Sequence, residues 1–193
     1  MFASVTGDAS FGQVLRLTQG RGEDYARRMR LRLLETSDLH MFVMDWDYYH
    51  AKPDPTVGLT RLATLIKAAR GECQNTLLFD NGDFLQGNPL ADYVADQPRT
   101  RAPHPLVTIM GELGYDAVGL GNHEFNYGLD FLEASLQGAP FPFLCANVAR
   151  AGGSAFLPSY AILNRAFKDD AGVGHERSCQ GFGGAISESS ISL

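Results

Sequence analysis

The chain has 193 residues, of which 45% are hydrophobic and 20% charged, and its formal net charge is −6. This length allows one good core or two small ones, and the acidic balance argues against a nucleic-acid polymer as partner. No stretch is long and apolar enough to span a bilayer, so we expect no membrane partner. The cysteines Cys73, Cys145 and Cys179 are odd in number and lack metal-knuckle or redox spacing, which predicts no disulfide framework.

Residues 1–30 have the character of an extension. Asp8 interrupts the early apolar segment and most charges follow it, an arrangement that makes a poor secretory signal. The four arginines from Arg21 to Arg30 indicate a solvated segment, although a helix from about Asp24 to Arg30 is compatible with the sequence. On this evidence we expect the protein to stay in the cytoplasm.

Strand and helix patterns alternate along residues 31–168. The predicted strands are Leu31–Glu35, Thr76–Phe79, Asp116–Leu120, Phe143–Val148 and a further one at Tyr160–Leu163. The predicted helices are Val57–Arg70, Leu90–Ala95, Pro105–Leu113 and Leu129–Leu136. This alternation with short connections predicts an α/β fold with a mainly parallel sheet covered by helices.

Two stretches do not fit that alternation. The loop 41–55 brings Trp46, Tyr48 and Tyr49 close together, which predicts either a rim of a substrate pocket or a packed loop. Residues 169–193 form a Gly- and Ser-rich tail without a periodic apolar face. Such a tail cannot bury enough apolar surface to offset its ordering entropy, so we expect it to be disordered or loosely attached.

Three predicted strands end in loops that carry oxygen and imidazole donors. Asp38 and His40 follow the first strand, Asp83 follows the second, and Asn122 and His123 follow the third. Ligands of open α/β sheets lie outside the carboxyl ends of the strands, so these side chains are expected to form one site. The donor set suits Mn²⁺, Zn²⁺, Fe or Mg²⁺ rather than a thiolate-binding metal.

Such a site has a defined chemistry. Two metals about 4 Å apart share a bridging carboxylate, clamp a phosphoryl group and activate water for in-line attack, while a nearby imidazole protonates or stabilises the leaving oxygen. Two of the motifs are weak alone, because an Asp-x-His can be a helix cap and a Gly-Asp pair is a common turn. The GNHE motif is stronger, because a histidine between Asn122 and Glu124 after a buried strand has no obvious packing role. His50 and His104 match no such context and are interpreted as surface or loop histidines. A flavodoxin-like nucleotide-binding domain is disfavoured because no Gly-rich phosphate loop is present.

The strings DLH, GDFLQGNP and GNHEFNYGLDFL resemble the calcineurin-like metallophosphoesterase superfamily. MDWDYY and LLFDNGDFLQGNPLADY are similar to its bifunctional 2′,3′-cyclic-nucleotide 2′-phosphodiesterase/3′-nucleotidase branch, a relative of the 5′-nucleotidases. The resemblance covers about Leu31 to Lys168. It implies the N-terminal part of a calcineurin-like sandwich, a mixed β-sheet flanked by helices, between the extension 1–30 and a divergent tail 169–193.

The resemblance also implies a role for each candidate residue. Asp38 and His40 bind the first of two divalent metals, and Asp83 bridges both. Asn122 binds the second metal, His123 is the catalytic imidazole, and both contact the nucleotide substrate. The implied reaction opens a 2′,3′-cyclic phosphate to a 3′-nucleotide and then hydrolyses that product to nucleoside and phosphate.

Two departures from the family pattern shape the expectations for activity. Members of the family carry later histidines, including a GHxH-type motif, and a C-terminal domain whose aromatic residues stack the base; here His175 is the one later histidine and stands in a different context. We therefore expect a truncated or frame-disrupted product with an incomplete second metal site and low turnover, or a non-catalytic remnant that keeps the fold. The half-built sheet predicts self-association through exposed apolar surface, and the family's usual export makes the periplasm the alternative location.

Overall fold

The computed structural model describes residues 3–6, 14–17, 29–97 and 103–182, with the first two segments and 177–182 described as backbone only. Strands β1 (Ala3–Thr6) and β2 (Val14–Leu17) pair antiparallel within the N-terminal extension. Most of the helix that the sequence allows over 24–30 lies outside the described residues. None of the helices in the described part combines the length and apolar character of a membrane span.

A four-stranded parallel sheet lies at the centre of the molecule, in the order β3-β6-β7-β8. Its strands are β3 (Arg32–Thr36), β6 (Thr76–Asp80), β7 (Ala117–Gly119) and β8 (Phe143–Leu144). Between β3 and β6, the loop 41–55 contains a small antiparallel pair, β4 (Trp46–Asp47) and β5 (Lys52–Pro53). The predicted α/β class is confirmed, and the antiparallel pairs lie outside the central sheet.

Four helices follow the order that the sequence predicts. They are α1 (Leu59–Glu72), α2 (Pro89–Asp96), α3 (Pro105–Glu112) and α4 (Leu129–Leu136). Asn88 caps α2 by accepting hydrogen bonds from the amides of Leu90 and Ala91, with Pro89 at the first helical position. One apolar core contains buried side chains from all four helices together with residues of β6 and β7. Because β6 is an almost unbroken apolar run, it is buried in the middle of the sheet.

His104 lies in the loop just before α3, one of the two predicted alternatives, but it is not a surface residue. Its side chain is buried, contacts the ring of Phe131 edge-on, and accepts a hydrogen bond from the Leu106 amide at the start of α3. A histidine that caps a core helix resembles a loop histidine in sequence, because the packing partner is distant along the chain. His50 is exposed, as predicted, and contacts Asp47.

The tail is the second correction. Strand β9 (Tyr160–Lys168) continues into a turn and pairs antiparallel with β10 (Gly174–Phe182). The expectation of disorder is therefore wrong for the described part of the tail, whereas its loose attachment stays a prediction. Asp169 stabilises the turn by accepting hydrogen bonds from the Ala171 and Val173 amides. Residues 183–193 lie outside the described part. Pairing in a hairpin satisfies the hydrogen-bonding groups of the backbone and needs no periodic apolar face. Composition alone therefore does not predict the β9–β10 hairpin.

The hairpin is attached to the central sheet through its first strand. Phe167 of β9 packs against Leu31 and Leu77 in a small second core. The buried Asn75 side chain donates to the carbonyls of Arg30 and Lys168 and accepts from the Lys168 amide. Strand β8 is shorter than predicted, because the Cys145 amide bonds to the Pro158 carbonyl and the chain leaves the sheet there. Cys73 and Cys145 are buried free thiols.

Candidate metal centre

The loops after β3 and β6 are hydrogen-bonded to each other beyond the ends of the two strands. The Asp38 amide donates to the Gly82 carbonyl at 3.0 Å, and the His40 amide donates to the Asp83 carbonyl at 2.9 Å. The parallel pairing of Thr36 with Asp80 therefore continues into the loops. This arrangement places Asp38 and His40 directly beside Asp83.

Asp38, His40 and Asp83 form a group suited to a cation. One ligand atom from each residue lies within 4.8 Å of the other two, and His40 Nε2 is 3.7 Å from Asp38 Oδ1. Asp38 is exposed, whereas His40 and Asp83 are half-buried, so the group is open to solvent on one side. Two carboxylates and an imidazole are the donor types that Mn²⁺, Zn²⁺, Fe²⁺ and Mg²⁺ accept.

The backbone of the same three residues is strained. Asp38, His40 and Asp83 have φ values of 54°, 44° and 61°, in the left-handed region that non-glycine residues rarely occupy. Such conformations cost on the order of 1–3 kcal/mol each and cluster at functional sites, where the surrounding structure enforces them. The loop hydrogen bonds enforce them here, and Asp38, His40 and Asp83 all share the feature.

The loop after β7 brings Asn122 and His123 to the same place. The His123 amide donates to Asp83 Oδ1 at 2.9 Å, and the His123 ring lies 5.1 Å from the His40 ring at an interplanar angle of 80°. Asn122 immediately precedes the short 3₁₀ turn His123–Phe125. Gly121 allows this approach, because a Cβ there would overlap the Asp83 carboxylate. All five predicted site residues thus lie at one edge of the sheet, and their individual roles stay predictions.

Glu124 is the structural residue that the sequence analysis missed. Its fully buried carboxylate accepts four backbone amides: those of Phe84 and Leu85 on Oε1, and those of Asp83 and Gly121 on Oε2. Burial raises the pKa of the Glu124 carboxyl, and the four amide donors oppose that rise. The side chain therefore joins the loop of Asp83 to the loop of His123. An acidic residue next to an apolar Phe125 is the available signal for such a role.

A second buried carboxyl lies at the end of β6. Asp80 accepts hydrogen bonds from the Thr36 hydroxyl at 2.6 Å and from the Gly82 amide at 2.9 Å. Burial raises the pKa of Asp80 to about 7, and the Thr36 hydroxyl is also 2.8 Å from the hydroxyl of the buried Tyr115. Asp80 thus fixes the turn that leads to Asp83.

The structure also shows where Tyr49 of the predicted pocket rim and the later histidine His175 lie. The Tyr49 hydroxyl donates to the Gly87 carbonyl, next to the His40 ring, while Tyr49 as a whole is 67% exposed. This position agrees with a pocket rim, which stays a prediction. His175 contacts Asp169 in the hairpin turn, and within the described residues it is outside the metal-binding group.

Residues 31–178 of the chain match the family described as calcineurin-like phosphoesterase. The chain belongs to this family. Calcineurin-like phosphoesterases use divalent metals, in agreement with the group formed by Asp38, His40 and Asp83. The family assignment confirms the fold that the sequence motifs predict.

The chain is also similar to individual members of the family. It is 47% identical over 153 residues to a 2′,3′-cyclic-nucleotide 2′-phosphodiesterase/3′-nucleotidase of Yersinia enterocolitica, a match that covers 78% of this chain and 23% of that protein. It is 43% identical over 155 residues to the trifunctional nucleotide phosphoesterase YfkN of Bacillus subtilis, covering 78% of this chain and 11% of that protein. The crystal structure of B. subtilis YfkN superimposes with a TM-score of 0.77 at 40% identity, over 81% of this chain and 48% of that chain. The chain therefore spans less than a quarter of the length of these curated relatives.

Proposed function

We propose that this site hydrolyses nucleotide phosphoesters with the help of two divalent metal ions, acting on 2′,3′-cyclic nucleotides and 3′-nucleotides. The observation that carries the proposal is the convergence of Asp38, His40 and Asp83 with His123 at one sheet edge. The names of the similar proteins support the substrate class.

The ligands divide unequally between the two ions. Asp38, His40 and Asp83 would hold the first ion, whereas Asp83 and Asn122 would hold the second. When bound, divalent ions neutralise phosphoryl oxygens and lower the pKa of water. Affinity depends on the number of ligands, so we expect the first ion to bind more tightly than the second and turnover to be slow.

His123 acts on the leaving oxygen. Its amide hydrogen bond to Asp83 keeps its ring beside the metal ligands, and the ring is half-buried. An imidazole in this position holds a proton for the departing 2′- or 3′-oxygen. Loss of a general acid typically lowers the rate by about 10²–10⁴-fold.

The test is hydrolysis of 2′,3′-cyclic AMP with Mn²⁺, measured by product chromatography, with and without a chelator. We expect metal-dependent turnover below the usual enzymatic range of about 1–1000 s⁻¹, and a loss of about 100-fold or more in His123→Ala. His50→Ala is the matched control, since His50 is exposed and contacts Asp47 instead. Chelator-insensitive hydrolysis, or full activity of His123→Ala, would refute the proposal. Metal binding without any hydrolysis would favour the non-catalytic alternative.

A further inference from the structure

We propose that Gln86 is a positioning residue that determines which ring nitrogen carries the proton in both imidazoles of the site. The inference deepens the proposed function and rests on it, because it concerns a candidate metal ligand and a candidate general acid. Gln86 follows Asp83 by three positions and reaches His40 with its main chain and His123 with its side chain.

The main-chain contact settles the tautomer of His40. His40 Nδ1 is 2.7 Å from the carbonyl oxygen of Gln86. A carbonyl oxygen only accepts hydrogen bonds, so Nδ1 carries the proton and Nε2 keeps its lone pair. Nε2 is the nitrogen that lies 3.7 Å from Asp38 Oδ1. The Gln86 carbonyl therefore leaves free the nitrogen that a metal needs, as carbonyl partners of metal-binding histidines do.

The neighbouring glycine makes this contact possible. Gly87 has a φ of +144°, and a Cβ on it would lie 2.6 Å from His40 Nδ1. On the other side, the Leu85 amide is bound by the buried Glu124 carboxylate, and Asn88 donates to the His40 carbonyl. The Gln86 backbone is thus fixed between two buried polar residues.

The side-chain contact acts on His123. Gln86 Oε1 is 2.8 Å from His123 Nδ1 and 3.2 Å from Asn126 Nδ2. An amide oxygen has two lone pairs and accepts from both donors at once. Nδ1 then carries the proton of the neutral ring, and Nε2 is the nitrogen that takes up a second proton and gives it to the leaving oxygen. Asn126 Nδ2 is also 3.0 Å from His123 Nδ1 and would donate to it if Gln86 Oε1 were absent.

Because Gln86 contacts His40 through its main chain and His123 through its side chain, His40 serves as an internal control in the test. Any substitution of Gln86 keeps the main-chain carbonyl, so His40 should not change. Gln86→Met removes the acceptor for His123 while keeping the side-chain length. Gln86→Glu keeps an oxygen in the same place.

The experiment reads imidazole tautomers by long-range ¹H–¹⁵N correlation on the ¹⁵N-labelled full chain, without metal and above the ordinary histidine pKa range. In the unmodified chain we expect the proton on Nδ1 in both His40 and His123. In Gln86→Met, His40 stays unchanged and His123 moves its proton to Nε2, because Asn126 now donates to Nδ1. Gln86→Glu restores the Nδ1 proton on His123. The exposed His50, which contacts Asp47, reports that each variant is folded.

Two results would overturn the inference: a proton on Nε2 of His123 in the unmodified chain, or no change of tautomer in a folded Gln86→Met. Asn126→Ala supplies a second variant at an exposed position. It should leave His123 protonated on Nδ1, and a switch in that variant alone would assign the positioning role to Asn126. Since no substrate or metal is added, a chain that lacks phosphoesterase activity still gives a clear answer.

Discussion

Replacing Glu124 by glutamine tests how the site is assembled. The carboxylate accepts two amides on each oxygen, at 2.7–3.0 Å. Glutamine keeps one oxygen and presents an NH₂ group to the other two amide donors. Two hydrogen bonds to a charged acceptor, each worth about 1.5–3 kcal/mol, are lost. Burying the neutral amide of glutamine costs less than burying the carboxylate of Glu124, and this difference offsets part of that loss. We expect a loss of about 2–5 kcal/mol in the free energy of unfolding.

The assay is urea unfolding followed by circular dichroism, with EDTA present so that metal binding does not contribute. Glu133→Gln is the matched control, because Glu133 is exposed and pairs with the exposed Arg150 at the surface. Such a surface pair contributes about 0–1 kcal/mol, so the control should unfold close to the unmodified chain. A Glu124→Gln variant as stable as the control would refute the inference that this carboxylate joins the two loops.

Three further predictions concern the residues around the site. Asp80 has a pKa of about 7 in the folded chain against an ordinary 3.8, so the folded chain holds the Asp80 proton more tightly than the unfolded chain does. The contribution of this proton to the free energy of unfolding is full below about pH 4 and falls by about 4 kcal/mol as the pH rises to 7. Urea unfolding in EDTA should show that this part of the pH dependence is missing in Asp80→Asn. Gly87→Ala places a Cβ 2.6 Å from His40 Nδ1, and calorimetric Mn²⁺ titration should show an affinity loss of about 10-fold or more. Asn88→Ala removes the cap of α2 and the hydrogen bond to the His40 carbonyl; thermal unfolding should show a loss of about 2–4 kcal/mol, and an unchanged melting temperature would contradict the capping role.

The sequence predicts those parts of the fold that depend on local pattern. Strand β6 shows an unbroken apolar run and α4 an apolar face between glycines, so both appear where expected. The same reasoning places the site residues, because polar residues that follow buried parallel strands meet at one edge of the sheet. The convergence of Asp38 and Asp83 needs no knowledge of long-range contacts beyond that topology.

The features that the sequence did not predict depend on contacts that leave no periodic pattern along the chain. His104 is buried because Phe131 packs against it, and β10 exists because β9 offers it hydrogen bonds. Glu124 binds three amides about 40 residues earlier in the chain and the Gly121 amide close by, and these hydrogen bonds leave no periodic trace in the sequence. Self-association and the cellular location stay predictions of the sequence.

The most direct test of the metal centre is a calorimetric titration of the full chain with Mn²⁺, compared with Asp83→Ala. Asp83 contributes to both proposed ions, and its neighbours Asp38 and His40 remain in the variant. We expect saturable binding to the unmodified chain, with one ion tighter than the other, and loss of both binding events in Asp83→Ala. Absence of binding to the unmodified chain, or equal binding to Asp83→Ala, would contradict the assignment of these loops as a metal centre.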